Sequence, residues 1–217
     1  MGGGFINFAE GDTATVSGGD SNQANGLASV VPGGYHNVAN GAYSFAAGVN
    51  ATAINPGSFV WSDGSELTTD TGTDQFVARA SGGFTFYTAP GIPTGATLSS
   101  GSGSWSSLSD RNVKANLMAV DGHAILERLA SLPIATQNYK TQSDSVRHMG
   151  PMAQDFRQAF GLGEDEKHIS TVDSEGVALA AIQALYEENQ EKRQEVSQLK
   201  DRLMTLENRL AALESSK

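Results

Sequence analysis

The chain has 217 residues, of which 39% are hydrophobic, 25 are glycine and none is cysteine, and its formal net charge is -10 at pH 7. An acidic chain without a basic patch is a poor nucleic-acid binder, and no run of about 18 apolar residues is present to span a membrane. We therefore expect no nucleic-acid partner and no membrane span. The lack of cysteine fits an exterior protein and a cytosolic one equally well.

The composition changes at Ser109. Residues 1–108 hold 20 of the 25 glycines and only one of the 14 Lys and Arg residues, Arg79. Seven acidic residues and that one base give this part a net charge of -6, whereas 17 acidic and 13 basic residues give residues 109–217 a net charge of -4. We expect two differently built parts, the first a thin unit that repeats or associates with copies of itself.

Residues 1–63 contain a short repeat with a period of 14 to 16 residues, marked by Gly26, Gly41 and Gly57. A second turn recurs at Gly18-Gly19, Gly33-Gly34 and Ala47-Gly48. Such a unit cannot bury its apolar face alone, so it is expected to stack on its neighbours, with glycine supplying positive φ at both turns. The alternative is a disordered Gly/Ser-rich linker, which has no reason to keep its apolar residues in phase.

The repeats also share Asn-Gly-x-x-Ser and Ala-x-Gly signatures, which Pro32 and Pro56 interrupt. Over roughly residues 7–60 the chain resembles the head repeat of trimeric autotransporter adhesins. The resemblance implies a left-handed parallel β-roll formed by three chains, an exterior location and a surface-binding role. It points to a host-surface receptor or glycan as a partner without naming one.

Residues 64–108 are expected to form a β connector. Residues 75–80 and 84–88 alternate in strand fashion around Gly82-Gly83, which predicts a hairpin. Residues 89–107 are rich in Pro, Gly and Ser and are expected to be extended. Their isolated apolar residues are expected to contact neighbouring chains; these are Ile92, Leu98 and Trp105.

Residues 109–173 are predicted to form a mixed α+β domain. Helical spacing predicts a first helix that ends at Pro133, with the apolar positions Leu117, Val120, Ile125, Leu126 and Leu129. A strand is predicted near residues 134–139, and the segment Arg147–Phe156 is predicted to open a second helix that runs towards Phe160-Gly161.

Two motifs coincide in this domain: Ser-Asp-x-x-x-Lys at residues 109–114 and His-x-Gly-x-x-Ala-Gln-Asp at residues 148–155. In this order they resemble the C-terminal intramolecular chaperone domain of phage tail spikes and endosialidases, over about residues 108–213. That family trimerises its fibre and then cuts itself just before the serine.

The resemblance implies that Ser109 is the nucleophile, Lys114 the base and Leu108–Ser109 the scissile bond. Asp110, His148 and Gln154 are candidates for a supporting role. Val113 stands where leucine is commoner, a conservative change.

The implied chemistry is coherent. A serine hydroxyl needs a neighbour that takes its proton, and a lysine can do so only when neutral. Its reference pKa of about 10.4 must therefore fall through burial or adjacent positive charge. The alternative is that Ser109 and Asp110 cap a helix and that Lys114 is a solvated residue. We predict no metal and no other cofactor, because His36, His123 and His168 lack partners at metal-ligand spacing.

Residues 174–217 predict a trimeric coiled coil. The a positions are Ile182, Asn189, Val196, Leu203 and Leu210, and the d positions are Leu185, Lys192, Leu199, Leu206 and Leu213. Opposite charges occupy the paired g and e positions, at Glu188–Arg193, Glu195–Lys200, Arg202–Glu207 and Arg209–Glu214. The alternative, strongest for residues 177–186, is an amphipathic helix folded back on its own domain.

Together these observations predict an elongated homotrimer with four parts: β-roll repeats at 1–63, a β connector at 64–108, a self-cleaving chaperone domain at 109–173 and a coiled coil at 174–217. The predicted function is trimerisation followed by autoproteolysis between Leu108 and Ser109, in a virion tail fibre or on a bacterial cell surface. The alternative is a structural, surface-binding trimer of the same shape that never cuts. A glycan-degrading spike is disfavoured because no extended catalytic body is present.

Overall fold

A computed structural model describes residues 3–91 and 94–215 of the chain. The chain divides into two compact units, Met1–Val113 and Lys114–Lys217. In the described part of the chain, no helix combines the length and the apolar character that a membrane crossing requires.

The first unit begins as a β-solenoid of about five turns, here called rungs. Its short strands pair in parallel across successive rungs. They are β1 Phe8–Ala9, β2 Thr15–Val16, β3 Gln23–Ala24, β4 Val30–Val31, β5 Gly34–Tyr35, β6 Val38–Ala39, β7 Phe45–Ala53, β8 Phe59–Thr69 and β9 Phe76–Arg79. The predicted stacking of a repeated parallel unit is confirmed, and the linker alternative is wrong.

Equivalent residues of successive rungs lie in register. One such column runs through five rungs and consists of Thr15, Val30, Phe45, Phe59 and Phe76. The residue after each of the first four faces inward and is buried; these are Val16, Val31, Ala46 and Val60. Because the core is made of Val and Ala, each side chain contributes little hydrophobic free energy. The solenoid therefore depends strongly on hydrogen bonds between its rungs.

Asparagines in successive rungs supply some of those bonds, and two of them, Asn22 and Asn37, are buried. Asn7, Asn22 and Asn37 follow one another at a spacing of 15 residues. The Asn37 backbone N–H donates to Asn22 Oδ1 over 3.0 Å, and the Asn37 side-chain amide donates to the same oxygen over 3.1 Å. The Asn22 backbone N–H donates to Asn7 Oδ1 over 3.1 Å in the same way. This column of asparagines has no counterpart in the sequence-based prediction, although its period was visible in the chain.

The second glycine turn behaves as predicted. Gly19, Gly34 and Gly48 have φ values of 90°, 99° and 94°, which L residues with a Cβ rarely adopt.

At the first glycine turn the predicted positive φ is found only at Gly57, where φ is 70°. For Gly26 and Gly41 the prediction is wrong. Gly26 and Gly41 are required for another reason. A Cβ on Gly26 would collide with the carbonyl oxygen of Gly41 in the next rung. The positive φ of this turn falls instead two residues later, at Ala28 and Tyr43, with φ of 52° and 60°.

Asp70 accepts hydrogen bonds from the neighbouring rung at the end of the solenoid. It is 3% exposed, and its carboxylate accepts hydrogen bonds from Ile54 N at 2.6 Å, Asn55 N at 2.9 Å and Asn55 Nδ2 at 2.8 Å. Burial alone would raise the pKa of Asp70, but these hydrogen bonds outweigh it and lower the pKa below its ordinary value.

The predicted hairpin between residues 75–80 and 84–88 is wrong. β9 pairs in parallel with β8 and belongs to the solenoid, where the Phe59 and Phe76 rings stack with centroids 4.6 Å apart. The hairpin lies one strand later, in an antiparallel sheet of β10 Gly83–Tyr87, β11 Gly95–Ser99 and β12 Ser106–Ser107.

The apolar residues expected to contact neighbouring chains have contacts within this sheet. Leu98 pairs with Phe84 across β10 and β11, and the Trp105 ring lies against Phe86 with centroids 5.6 Å apart. Ile92 lies outside the described residues.

The second unit is an α+β domain with a long C-terminal helix. Its elements are α1 Gly122–Ser131, β13 Ala135–Gln137, β14 His148–Gly150, α2 Ala153–Phe160 and α3 Thr171–Glu214. The core consists of Leu132, Phe156, Phe160 and Val177. The predicted strand and second helix are confirmed, and α2 ends at Gly161 in the left-handed conformation with φ of 67°.

The first helix begins later than its apolar spacing predicts. Asp121 caps it by accepting a hydrogen bond from Ala124 N at 3.1 Å. Leu117 and Val120 precede the cap in irregular chain and are 68% and 65% exposed. Two apolar residues three apart gave a false helical signal, since the cap decides where the helix starts.

The buried residues of α3 lie near its start; they are Val177, Ala181 and Ala184. The close contact with α1 depends on Gly122, where a Cβ would lie 3.1 Å from the Ala184 Cβ. The folded-back alternative thus describes this short face of α3. The apolar a and d residues lie on other faces and are exposed; they are Ile182, Leu185, Val196, Leu199, Leu203, Leu206, Leu210 and Leu213.

Candidate functional site

The predicted scissile bond follows directly after strand β12. Ser106 and Ser107 pair with Thr97 and Ala96 of β11, and Leu108 and Ser109 continue the chain beyond the strand. A shallow groove of ≈ 230 Å³ runs along β10, β11 and β12 and includes Leu108 and Ser109 in its lining. The Leu108–Ser109 peptide bond therefore lies on the surface. The strand that precedes it, β12, is part of the sheet.

Asp110 shapes the backbone after Ser109. Its Oδ1 accepts hydrogen bonds from Asn112 N at 2.9 Å and Asn112 Nδ2 at 3.0 Å. Its carbonyl accepts from Val113 N at 3.3 Å, which closes a 3₁₀ turn over Arg111–Val113. Asp110 therefore caps a short turn, as the capping alternative predicts for this residue. A cap at this position is also compatible with cleavage, because it fixes the chain on the leaving side of the bond.

Ser109 and Lys114 are both exposed to solvent on the single chain. The boundary between the compact units lies between Val113 and Lys114, so Ser109 ends up in the first unit and Lys114 in the second. The Ser–Lys dyad stays a prediction that rests on the motif.

His148 and Gln154 line the same pocket in the second unit. This pocket has a volume of ≈ 450 Å³ and lies between β13, β14, the start of α2 and the segment around Lys167 and Ile169. The pocket is built around the start of the second motif, and its lining does not include Asp110.

The contacts of His148 favour a structural task. Its Nε2 lies 3.1 Å from Gln142 Oε1, and its ring meets the edge of Tyr139 at a centroid distance of 5.8 Å. In the β13–β14 pairing His148 lies opposite Gln137. These contacts hold the loop between the two strands against β14. Gln142 could not be predicted from the sequence, because a glutamine in a polar loop has no distinguishing pattern.

The remaining histidines of the second unit pair with carboxylates. His123 Nδ1 lies 3.1 Å from Glu188 Oε1, which joins α1 to α3, and this hydrogen bond raises the pKa of His123 above its ordinary value. His168 Nδ1 lies 2.9 Å from Asp165 Oδ2, and this contact is the main cause that lowers the pKa of Asp165. Within residues 3–91 and 94–215, no group of three potential metal ligands is assembled.

Comparison with known proteins identifies one region. Residues 109–162 match the model of a protein family described as the chaperone of endosialidase. Among curated proteins and among solved structures, no match to the chain is found. The matched family includes self-cleaving peptidases, occurs in phage tail fibres and spikes, and implies a homotrimer. From Ser109 to the residues after α2, the chain is therefore similar to a trimerisation chaperone domain.

Proposed function

We propose that this chain is the C-terminal region of a tail-fibre or adhesin-like protein, in which the part after Ser109 drives homotrimerisation and then cuts the Leu108–Ser109 bond. The observation that supports this best is the position of the family match, which begins at Ser109, two residues after the end of the last strand of the first unit. The domains would be the solenoid repeats at 1–63, the connector at 64–108, the chaperone at 109–173 and the coiled coil at 174–217.

The proposed reaction takes place in two steps. The Ser109 Oγ attacks the carbonyl carbon of Leu108 while the Lys114 Nζ takes the hydroxyl proton. The C–N bond breaks, the nitrogen of Ser109 receives that proton, and an ester joins Leu108 to the Ser109 oxygen. Water then hydrolyses the ester, which leaves a carboxylate on Leu108 and a free amine and hydroxyl on Ser109. Because nucleophile and carbonyl are adjacent in one chain, proximity supplies much of the rate.

Assembly would control this reaction. A lysine acts as a base only in its neutral form, and burial favours that form. Lys114 is exposed on the single chain, so neighbouring chains of the trimer would have to supply the burial. Cleavage would then occur only after trimerisation, so that cut chains would indicate that the trimer had formed.

The exposed apolar seam of α3 supports the trimer. Leu199, Leu203, Leu206 and Leu210 are 53–60% exposed and repeat at heptad spacing. A narrow apolar seam of this length is stabilised when it packs against other helices of the same kind. The solenoid would then be the surface-binding part, with a receptor or glycan as its partner.

The second candidate is a trimer of the same shape that never cuts. The capping contacts of Asp110 and the exposure of Lys114 favour it. Both candidates share the trimer, so they differ only in the chemistry at Ser109.

Substitution of Ser109 or Lys114 distinguishes the self-cleaving candidate from the one that never cuts. We expect the wild-type chain to give two fragments on a denaturing gel, and Ser109→Ala or Lys114→Ala to leave it intact while trimers still form. Ser102→Ala, in the turn between β11 and β12, and Lys140→Ala are matched controls that should cleave normally. An intact wild-type trimer, or cleavage that persists in Ser109→Ala, would overturn the self-cleaving candidate.

A further inference from the structure

The residues just before the proposed scissile bond are held by the first unit itself. Trp105 precedes β12, Ser106 and Ser107 form it, and Leu108 follows it. All of them lie within Met1–Val113, so this arrangement belongs to one compact unit. We propose that β11 and the Phe86–Trp105 contact act as a clamp that positions the acyl side of the bond for cleavage. This inference rests on the proposed self-cleavage.

The first part of the clamp is backbone pairing. β12 pairs antiparallel with β11, with Thr97 opposite Ser106 and Ala96 opposite Ser107. Residues paired in this way have fixed φ and ψ, whereas an unpaired segment of the same composition samples many conformations. The pairing therefore leaves the carbonyl of Leu108 one residue away from a fixed strand.

The second part is an aromatic contact. Trp105 lies against Phe86 of β10 with ring centroids 5.6 Å apart and planes inclined by 46°. β12 has only two residues, which is too short a strand to be stable by its ladder alone. The ring contact fastens the start of β12 across the sheet, so Trp105 is a positioning residue and touches no reacting atom.

The third part is the rigidity of the sheet beneath. β10 and β11 pair over five residue pairs from Gly83–Ser99 to Tyr87–Gly95. A Cβ on Gly95 would collide with the carbonyl oxygen of Phe86, so the strands approach as closely as glycine permits. The clamp thus has a firm base, and the new C-terminus at Leu108 would stay attached to it after cleavage.

The clamp has a functional consequence. A bond held in one extended geometry meets its nucleophile more often than a bond in a mobile segment, and a misplacement of about 1 Å can lower a rate by about 100-fold. The sheet would therefore contribute to the rate of cleavage and not to the choice of nucleophile. It would couple cleavage to correct folding of the upstream fibre, because the clamp exists only when β10 and β11 have formed.

Two full-length variants test the clamp. In the first, two glycines inserted between Ser107 and Leu108 leave every clamp contact in place but uncouple it from the scissile bond. We expect the cleavage rate constant to fall by about 10- to 100-fold while trimer content stays at the wild-type value. The matched control inserts two glycines between Gly101 and Ser102, in the turn between β11 and β12, and should cleave at close to the wild-type rate.

In the second, Trp105→Ala removes the ring contact, and Trp105→Phe should restore most of the rate. Phe86→Ala should slow cleavage as much as Trp105→Ala, and the double variant should be no slower than either. Cleavage at the wild-type rate in the Ser107–Leu108 insertion would overturn the clamp while leaving self-cleavage intact. A wild-type chain that never cuts would overturn self-cleavage, and the clamp with it.

Discussion

The Asn37 side-chain amide donates to Asn22 Oδ1 across 3.1 Å, one rung away, and both residues are 0% exposed. This bond joins two rungs that share few large apolar contacts, because the surrounding core is Val and Ala. The stability of the solenoid should therefore respond more strongly to these amides than to its apolar side chains.

Asn22→Ala should destabilise the solenoid markedly. It removes the acceptor of the Asn37 N–H and amide and the donor to Gly34 O at 2.9 Å. Each buried group left without a partner costs about 1–3 kcal/mol, so we expect the free energy of unfolding to fall by about 3 kcal/mol or more. Urea denaturation at fixed protein concentration measures it. Gln23→Ala, at an exposed neighbouring position, should change it by less than about 0.5 kcal/mol. Equal effects of the two variants would show that the asparagine column is not a stabilising feature.

Substitutions at Gly26 and at Ala28 should have different effects on the thermal stability of the chain. Gly26→Ala places a Cβ against the carbonyl of Gly41 and should destabilise the chain or prevent its folding. Ala28→Gly, at φ of 52°, relieves a left-handed residue that costs about 1 kcal/mol and should be neutral or stabilising. Thermal melts of both variants measure this. A Gly26→Ala chain as stable as wild type would mean that the rungs can move apart at that point.

Asp70 should make the solenoid sensitive to acid. Its pKa in the folded chain is lower than in the unfolded chain, where it is about 3.9. Its stabilising contribution is therefore fully present above about pH 4 and is lost as the pH falls through the lower folded pKa.

Asp70→Asn should thus lower the free energy of unfolding at pH 7 and flatten its dependence on pH between 4 and 2. Denaturation curves across that range check the slope. Glu66→Gln, at an exposed position, is the matched control. An Asp70→Asn chain with the wild-type slope would assign the acid sensitivity to other carboxylates.

The seam of α3 should be required for trimers. Leu203→Asp places a charge at an a position that is 56% exposed on the single chain and would be buried between helices. We expect it to abolish the trimer in light scattering coupled to size exclusion. Met204→Asp, at the neighbouring position with 58% exposure, lies off the seam and should leave the trimer intact. A trimer that survives Leu203→Asp would place the interface elsewhere.

Much of this architecture follows from periodicity. The spacing of Gly26 and Gly41 predicts stacked rungs, and the heptads predict a helix to the end of α3, since both signals repeat many times. Single features were harder to predict. The strand at residues 76–79 has the same alternation whether it pairs with β8 or with β10, so the sequence could not decide between a rung and a hairpin.

The candidate site, too, could be predicted only in part from the sequence. The motif predicts Ser109 and Lys114 as the dyad, and Asp110 as a supporting residue, from residue type and spacing alone. The contacts of His148 with Tyr139 and Gln142 and of Trp105 with Phe86 depend on how loops and strands fold back. Contacts of this kind leave no pattern that can be recognised in one sequence.

Mass spectrometry of the wild-type trimer after expression is the test of self-cleavage. We expect two fragments, one ending at Leu108 with a free carboxylate and one beginning at Ser109. Neither fragment should appear in Ser109→Ala. A wild-type trimer that contains only the intact 22.7 kDa chain would show that the chain does not cut itself.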